Sequence, residues 1–403
     1  MRGNPKLTSR LLILLGLAVL AAIVYGPQAI VTFLLFVLIL GVTVVIHELG
    51  HFVAARVAKV RVIEFGVGFP PRAAVLRDKG ETVYTLNWLP IGGFVKLEGE
   101  DGGDADEPRS FAAQGIVTKV LILAAGVAMN LVLAFAIFLS IALAGDPAAG
   151  VLVTYVTPGS PAETAGLIVG DTIERVDGRA FSFFGPSSVI GELVAKAGRT
   201  VTLQVEHANG TVNDVTATLR TPEQVAAGQG ALGIGKRNVV DPVTGQVTEP
   251  GVPLELRKTD ETINYPIGTS LRLGLDRTVG ATQLIVSGVG DLISNFVTRP
   301  TERPNASGPL GIAVEIGNTF WTLGPIVTLY LAGLLSANLA VVNILPLPPL
   351  DGGRILVLVL KRLLGTRLSL RAERLTYLVG AAVLFAFLIW VTAFDVFAPA
   401  GPP

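Results

Sequence analysis

Two histidines four residues apart enclose a glutamate in His47-Glu48-Leu49-Gly50-His51. On a helix such positions share a face, with Cβ atoms about 5–6 Å apart. Both imidazoles can then converge on one zinc at about 2.0–2.1 Å each. Glu48 points off that axis but stays close enough to meet a metal-bound water. This HExxH arrangement suits a zinc hydrolase, in which the ion lowers the pKa of its water toward about 7 and the glutamate takes the proton. A helix end with two interfacial histidines and no ion would carry the same five residues. Two observations argue against that plainer reading. The chain has three histidines, and two of them are here; the 18 residues before His47 carry no charge. His and Glu are costly at membrane depth and mark function there.

A catalytic zinc of this kind takes three protein ligands and leaves one position open. Cysteine is absent from the chain, and His207 lies in a β-rich region read below as sitting across the membrane. A carboxylate at similar depth remains, and Asp351 in Leu350-Asp351-Gly352-Gly353 is the candidate, at the end of a long uncharged run. Asp351 is also placed to cap a helix over Ile355–Leu363, a role compatible with ligation.

Positioning these residues falls to an apolar scaffold. Of 403 residues, 51% are hydrophobic and 15% charged, with a mean hydropathy of +0.62. Soluble domains carry about 25% charged residues, so a simple soluble enzyme is excluded, as is a disordered chain. Lys and Arg total 31, equal to Asp and Glu, so no basic footprint points to nucleic acid as a partner.

A span needs about 20 apolar residues. The uncharged run from Leu11 to Ile46 is too long for one, and Gly26-Pro27-Gln28 breaks it. Two spans follow, about Leu11–Tyr25 and Ala29–Ile46. The first also has the form of a signal-peptide apolar segment behind Arg2, Lys6 and Arg10, and is read as a retained span. Further spans are expected in Val120–Gly145, Ile316–Leu350 and Leu375–Phe394, the second stopping at Pro346, Pro348 and Pro349. Basic residues concentrate in the N-terminus, in 52–115 and in 354–374. Positive-inside orientation places these stretches in the cytoplasm and region 146–315 outside, and five spans satisfy every sign.

The outside region reads as β-rich. Val151–Val156 is β-branched, Ala162–Ala165 a short helix ended by Gly166, and Thr172–Val176 a strand closed by the hairpin-type turn Asp177-Gly178. Val201–Glu206 turns at Asn209-Gly210 and returns through Thr211–Leu219. With GSPAETAGLIVGDTIERVDGRAF at 159–181, this pattern resembles a PDZ domain, which would bind a peptide or a substrate ectodomain by strand addition. Residues 221–264 read as a loop or irregular edge. Tyr265–Phe296 has helical apolar spacing that suits an amphipathic helix at the outer membrane face.

HELGH within a span, followed far downstream by Asn343-Ile344-Leu345-Pro346-Leu347-Pro348-Pro349-Leu350-Asp351-Gly352-Gly353, resembles the site-2 protease family and most closely its RseP-like branch, which carries a PDZ insert. The resemblance covers about residues 29–395. It implies an intramembrane zinc metalloprotease with one catalytic zinc. His47, His51 and Asp351 would be its ligands and Glu48 the general base. Asn343 would hydrogen-bond the substrate backbone or the oxyanion. Ser307-Gly308-Pro309-Leu310-Gly311 is similar to the SGPxG opening of the family's third core helix. Trp88–Leu97 resembles its membrane-associated β-hairpin, with Gly92, Gly93, Phe94 and Val95 on the substrate-binding edge. Gly92-Gly93 would permit a tight turn or a close backbone approach, and edge pairing would supply an unwound substrate with hydrogen bonds. The chain departs from the pattern in three respects. Val127 stands where the AGPxxN motif has proline, with Asn130 retained; a span precedes the usual first one; and a single PDZ-like unit is evident.

The expected fold class is a multi-pass α-helical membrane protein of about five spans with a site-2 protease-like core and an inserted β-rich PDZ domain. Its expected parts are an extra N-terminal helix (1–28), a first core half with HExxH and the hairpin (29–145), the PDZ-like domain (146–240), a linker with the amphipathic helix (241–315) and a second core half (316–403). Expected substrates are single-span proteins of the bacterial inner membrane, such as an anti-sigma factor or a signal-peptide remnant, cut near the cytoplasmic side. The rival reading is a PDZ-bearing scaffold or metal carrier, which needs the ligands but not Glu48. Gly288-Val289-Gly290-Asp291 matches the GxGD string of intramembrane aspartyl proteases, but it lies in the amphipathic stretch and lacks a partner aspartate in a span.

Overall fold

A computed structural model describes residues 26–100, 106–185, 187–235, 239–240, 247–249, 254–304, 306–364 and 370–397. The span expected at 11–25 lies outside these. The chain divides into two compact units, residues 1–140 with 271–403, and residues 141–270.

Helices make up most of the first unit, and the longest apolar ones suit lipid, where a chain must satisfy its own backbone. These are α1 (Pro27–Val57) and α2 (Ile116–Ala144), then α6 (Ile267–Thr298), α7 (Pro309–Leu323), α8 (Pro325–Ile344), α9 (Asp351–Leu364) and α10 (Leu370–Phe397). Among the described residues four are long and apolar enough to cross a membrane: α1, α2, α8 and Leu375–Phe397 of α10. Small residues let them cross closely. A Cβ on Gly50 of α1 would lie 2.3 Å from the Ala125 carbonyl oxygen of α2, and one on Gly333 of α8 would lie 2.6 Å from the Phe138 ring of α2.

One detail differs from the sequence reading. The apolar stretch Ile316–Leu350 is not one span, since α7 ends and α8 begins at Gly324, whose φ of +85° suits glycine, with Pro325 opening the new helix. The start of α7 has no side-chain cap of its own. Asp395 of α10 accepts from the backbone N–H groups of Gly308 (3.1 Å) and Gly311 (2.8 Å) instead. A Cβ at either glycine would come within 2.7 Å of that carboxylate, which accounts for both glycines of the SGPxG stretch.

Between α1 and α2 lies a two-stranded hairpin, β1 (Val62–Arg77) and β2 (Val83–Leu97), larger than the Trp88–Leu97 segment read from sequence. Each strand bends on itself. Residues 64–67 pair on one side with 93–96 and on the other with 83–86. The segment 93–97 is therefore an outer edge, with no further strand paired to it among the described residues. The fold of β1 is held by Arg72, whose Nε donates to Glu64 Oε1 at 3.0 Å, while Thr85 Oγ1 donates to the same oxygen at 2.8 Å. Burial pushes the Glu64 carboxyl up, and Arg72 and Thr85 outweigh it, holding it below its ordinary value.

The second unit is β-rich. One six-stranded sheet runs in the order β10 (Glu255–Ile263), β3 (Asp146–Leu152), β5 (Arg179–Ser182), β4 (Thr172–Val176), β6 (Thr200–Glu206) and β7 (Val212–Thr218). Three short helices, α3 (Pro161–Thr164), α4 (Val189–Ala195) and α5 (Pro222–Ala226), accompany it, with a small pair β8 (Val239–Val240) and β9 (Val247–Glu249). Alternation in β6 buries Val201, Leu203 and Val205 against Ile173, Phe181 and Leu193. The turn between β4 and β5 uses Asp177 (φ 50°) and Gly178 (φ 77°), the positive-φ pair a two-residue hairpin requires. Within the stretch read as a loop or irregular edge, Glu255–Ile263 is an edge strand on β3 whose register shifts between Lys258 and Thr262. Most of its side chains are exposed on both faces, so it lacks the alternation that would announce it.

Candidate metal centre

His47 and His51 lie one turn apart on α1, both buried, and their rings meet edge to face with centroids 4.7 Å apart. Asp351 opens α9, 304 residues after His47 in sequence. Its Oδ2 sits 2.9 Å from His47 Nε2 and 3.2 Å from His51 Nε2, and the two Nε2 atoms are 3.1 Å apart. Among the described residues these three form a group able to hold a metal ion.

The donor set fits zinc. Tetrahedral bonds of about 2.0–2.1 Å separate neighbouring donor atoms by roughly 3.3 Å, close to the three edges of this triangle. Two imidazoles and a carboxylate are ordinary zinc ligands. The far side of the His51 ring is already engaged, since Nδ1 lies 2.8 Å from the Ile122 carbonyl oxygen, so Nε2 is the atom left for an ion.

Close backbone approach creates this triangle. A Cβ on Gly126 of α2 would lie 2.5 Å from His51 Nε2 and 2.7 Å from His47 Nε2. The loop before α9 is equally tight, with a Cβ on Gly352 falling 2.0 Å from the Ile344 carbonyl oxygen and one on Gly353 falling 2.3 Å from the Pro348 nitrogen. Gly126→Ala is expected to push both rings off the triangle and weaken zinc by at least the roughly 10–100-fold typical of disturbed outer contacts. A zinc titration checks this, with circular dichroism showing helix content unchanged.

A cavity of about 80 Å³ adjoins the cluster, lined by Glu48, His51, Asp351, Val95, Glu100 and Arg354 among others. Glu48 is not one of the three donors, and strand β2 passes beside it. A Cβ on Gly93 would lie 3.4 Å from Glu48 Cγ. Gly92, at φ +94°, lies within the strand; a Cβ there would meet the Phe69 ring at 2.3 Å. Close approach, and not a tight turn, is thus what these glycines serve. Val95 lines the cavity, Gly93 lies beside Glu48, and Phe94 pairs with Gly66 of β1. Asn343 lies on the last turn of α8, half-buried.

The sequence reading missed three contributors. Ile122 offers only a backbone carbonyl, which leaves no signature. Glu100 and Arg354 form an ion pair of 2.6 Å, and Glu100 Oε2 also accepts from the Leu97 N–H at 3.2 Å. They tie the end of β2 to the first turn of α9. Arg354 stands three residues after Asp351, a spacing that could have suggested a shared helix face. Asn130, retained despite Val127, is fully buried with its side chain 3.3 Å from His47 Nδ1. Without the proline, α2 runs unbroken from Ile116 to Ala144.

Residues 35–387 match peptidase family M50, the site-2 protease family. The chain belongs to that family. This M50 chain is 30% identical over 356 residues to a Clostridium perfringens protein assigned as a zinc metalloprotease, covering 88% of the chain and 96% of the relative. It is 27% identical to the zinc metalloprotease RasP of Geobacillus kaustophilus, covering 90% and 96% respectively. A Fusobacterium nucleatum protein, also assigned as a zinc metalloprotease, is 30% identical over 375 residues. The M50 chain is a zinc metalloprotease and an integral membrane protein.

Proposed function

We propose that this M50 protease hydrolyses peptide bonds within the membrane-spanning segments of other proteins. The observation that carries the reading is the buried His47–His51–Asp351 triangle, whose two histidines lie on α1, a helix long and apolar enough to span a membrane. His, Glu and Asp at that depth are costly unless they act. His47, His51 and Asp351 would hold the ion beside the cavity that Glu48 lines. Bound zinc supplies Lewis acidity, polarising water and the substrate carbonyl. Glu48 takes the proton from the attacking water and delivers it to the departing amine nitrogen. Asn343 hydrogen-bonds the substrate backbone or the developing oxyanion.

A peptide bond inside a helix is shielded by its own hydrogen bonds, so the substrate must unwind. The outer edge of β2, from Gly92 through Val95, receives it as an added strand, supported by the position of Gly93 beside Glu48. The charge distribution supports five spans, with the second unit outside the cytoplasm and the active site toward the cytoplasmic face of a bacterial inner membrane. The second unit is a PDZ module that selects substrate ectodomains or peptides, and substrates are single-span proteins such as an anti-sigma factor or a signal-peptide remnant. The amphipathic α6 lies at the outer face.

The test is cleavage by the purified protein in lipid vesicles of a panel of single-span proteins. Product masses are expected to place the cut inside the span, and a zinc chelator should abolish it until zinc is restored. Cuts confined to soluble loops would contradict the reading.

A further inference from the structure

His47 and His51 both present Nε2 to the metal cluster, so each ring is fixed by what meets Nδ1. For His51 the partner is the Ile122 carbonyl. A carbonyl only accepts, so Nδ1 carries the proton and Nε2 keeps its lone pair. His47 has no carbonyl at this place; its Nδ1 meets the Asn130 side-chain amide at 3.3 Å. With Nδ2 turned to the ring, Oδ1 of Asn130 is left buried without a partner among the described residues. A neutral imidazole that ligates through Nε2 bears its proton on Nδ1, so Nδ2 there would set two donors face to face. Turning the amide about its terminal bond brings Oδ1 to the same place and resolves that conflict.

We propose that Asn130 is a positioning residue for the metal centre, its Oδ1 accepting from His47 Nδ1–H and so fixing the tautomer and rotation of that ring. The backbone supports this placement: fully buried Ser336 of α8 donates to the Asn130 carbonyl oxygen at 2.8 Å, anchoring α2 at this residue. Gly126, one turn earlier on the same helix, leaves the room in which the two rings sit. The same helix thus clears space for the imidazoles and orients one of them, while Ile122, one further turn back, orients the other. A second contact of this kind on a ligating histidine is worth about 10–100-fold in metal affinity.

The inference rests on His47 being a zinc ligand, and the experiment separates the two. Zinc affinity is measured on the full-length protein by chelator competition for wild type, Asn130→Ala, Asn130→Asp and His47→Ala. Nitrogen spectra of the histidine-labelled, zinc-loaded wild type report whether His47 Nδ1 bears the proton. An ionised aspartate accepts and cannot donate, so Asn130→Asp is expected to bind zinc at least as well as about one-third of wild type. Asn130→Ala should lose about 10–100-fold, and the wild-type spectrum should show a protonated Nδ1. If Asn130→Asp loses as much as Asn130→Ala, if Asn130→Ala loses nothing, or if Nδ1 is bare, Asn130 does not have this role. Should Asn130→Ala fail to fold, the aspartate variant and the spectrum still decide. Wild-type zinc affinity in His47→Ala would instead refute the metal site itself.

Discussion

Glu48→Gln is expected to retain one zinc per chain while peptide hydrolysis falls by about 10²–10⁴-fold, the usual contribution of a positioned general base. The argument is geometric. Three donor atoms already form the triangle, and Glu48 supplies none of them. Its side chain instead lines the adjoining cavity with His51 and Asp351, beside the backbone of Gly93. Glutamine keeps the shape and the polar tip but cannot accept a proton from water. Metal content and cleavage should therefore separate, which a carrier or scaffold would not show. Zinc analysis and a cleavage time course on the same preparation check this, and undiminished turnover would reject Glu48 as the base.

Asp351→Ala should act on the other quantity. It removes the donor that closes the triangle from a helix 304 residues away in sequence, leaving only the two imidazoles on α1. Zinc affinity is expected to fall by more than the roughly 10–100-fold typical of losing an outer contact, and cleavage with it. The glycines after Asp351 still pack against the 344–348 backbone, so the loop should keep its path. Binding to the folded state stabilises it by about 2.7 kcal/mol when free zinc is 100 times Kd. The zinc-dependent rise in thermal midpoint seen for the wild type should therefore vanish in the variant. An unchanged zinc content would remove Asp351 from the ligand set.

Much of the site could be read from the sequence because its chemistry is local. HELGH puts two ligating residue types at helical spacing, and the lack of cysteine narrowed the third ligand to a carboxylate. Asp351 then stood out by its place at the end of an apolar run. What escaped notice was nonlocal or carried by backbone. Gly126 matters only because α1 crosses α2 there, and Ile122 acts through a carbonyl that any residue would supply. The break at Gly324-Pro325 was written in the sequence but masked by the apolar residues on both sides. Glu255–Ile263 could be read only as a loop or irregular edge, because a strand exposed on both faces has no period to detect. The hairpin is larger than Trp88–Leu97, which is part of a single strand, since its strands bend back and 64–67 pairs on both sides.

The most direct test of the central claim is anomalous scattering at the zinc edge from crystals of the protein. The account predicts one zinc peak at about 2.0–2.2 Å from His47 Nε2, His51 Nε2 and an Asp351 carboxylate oxygen. A zinc elsewhere, or one bound by the two histidines with Asp351 turned away, would contradict it.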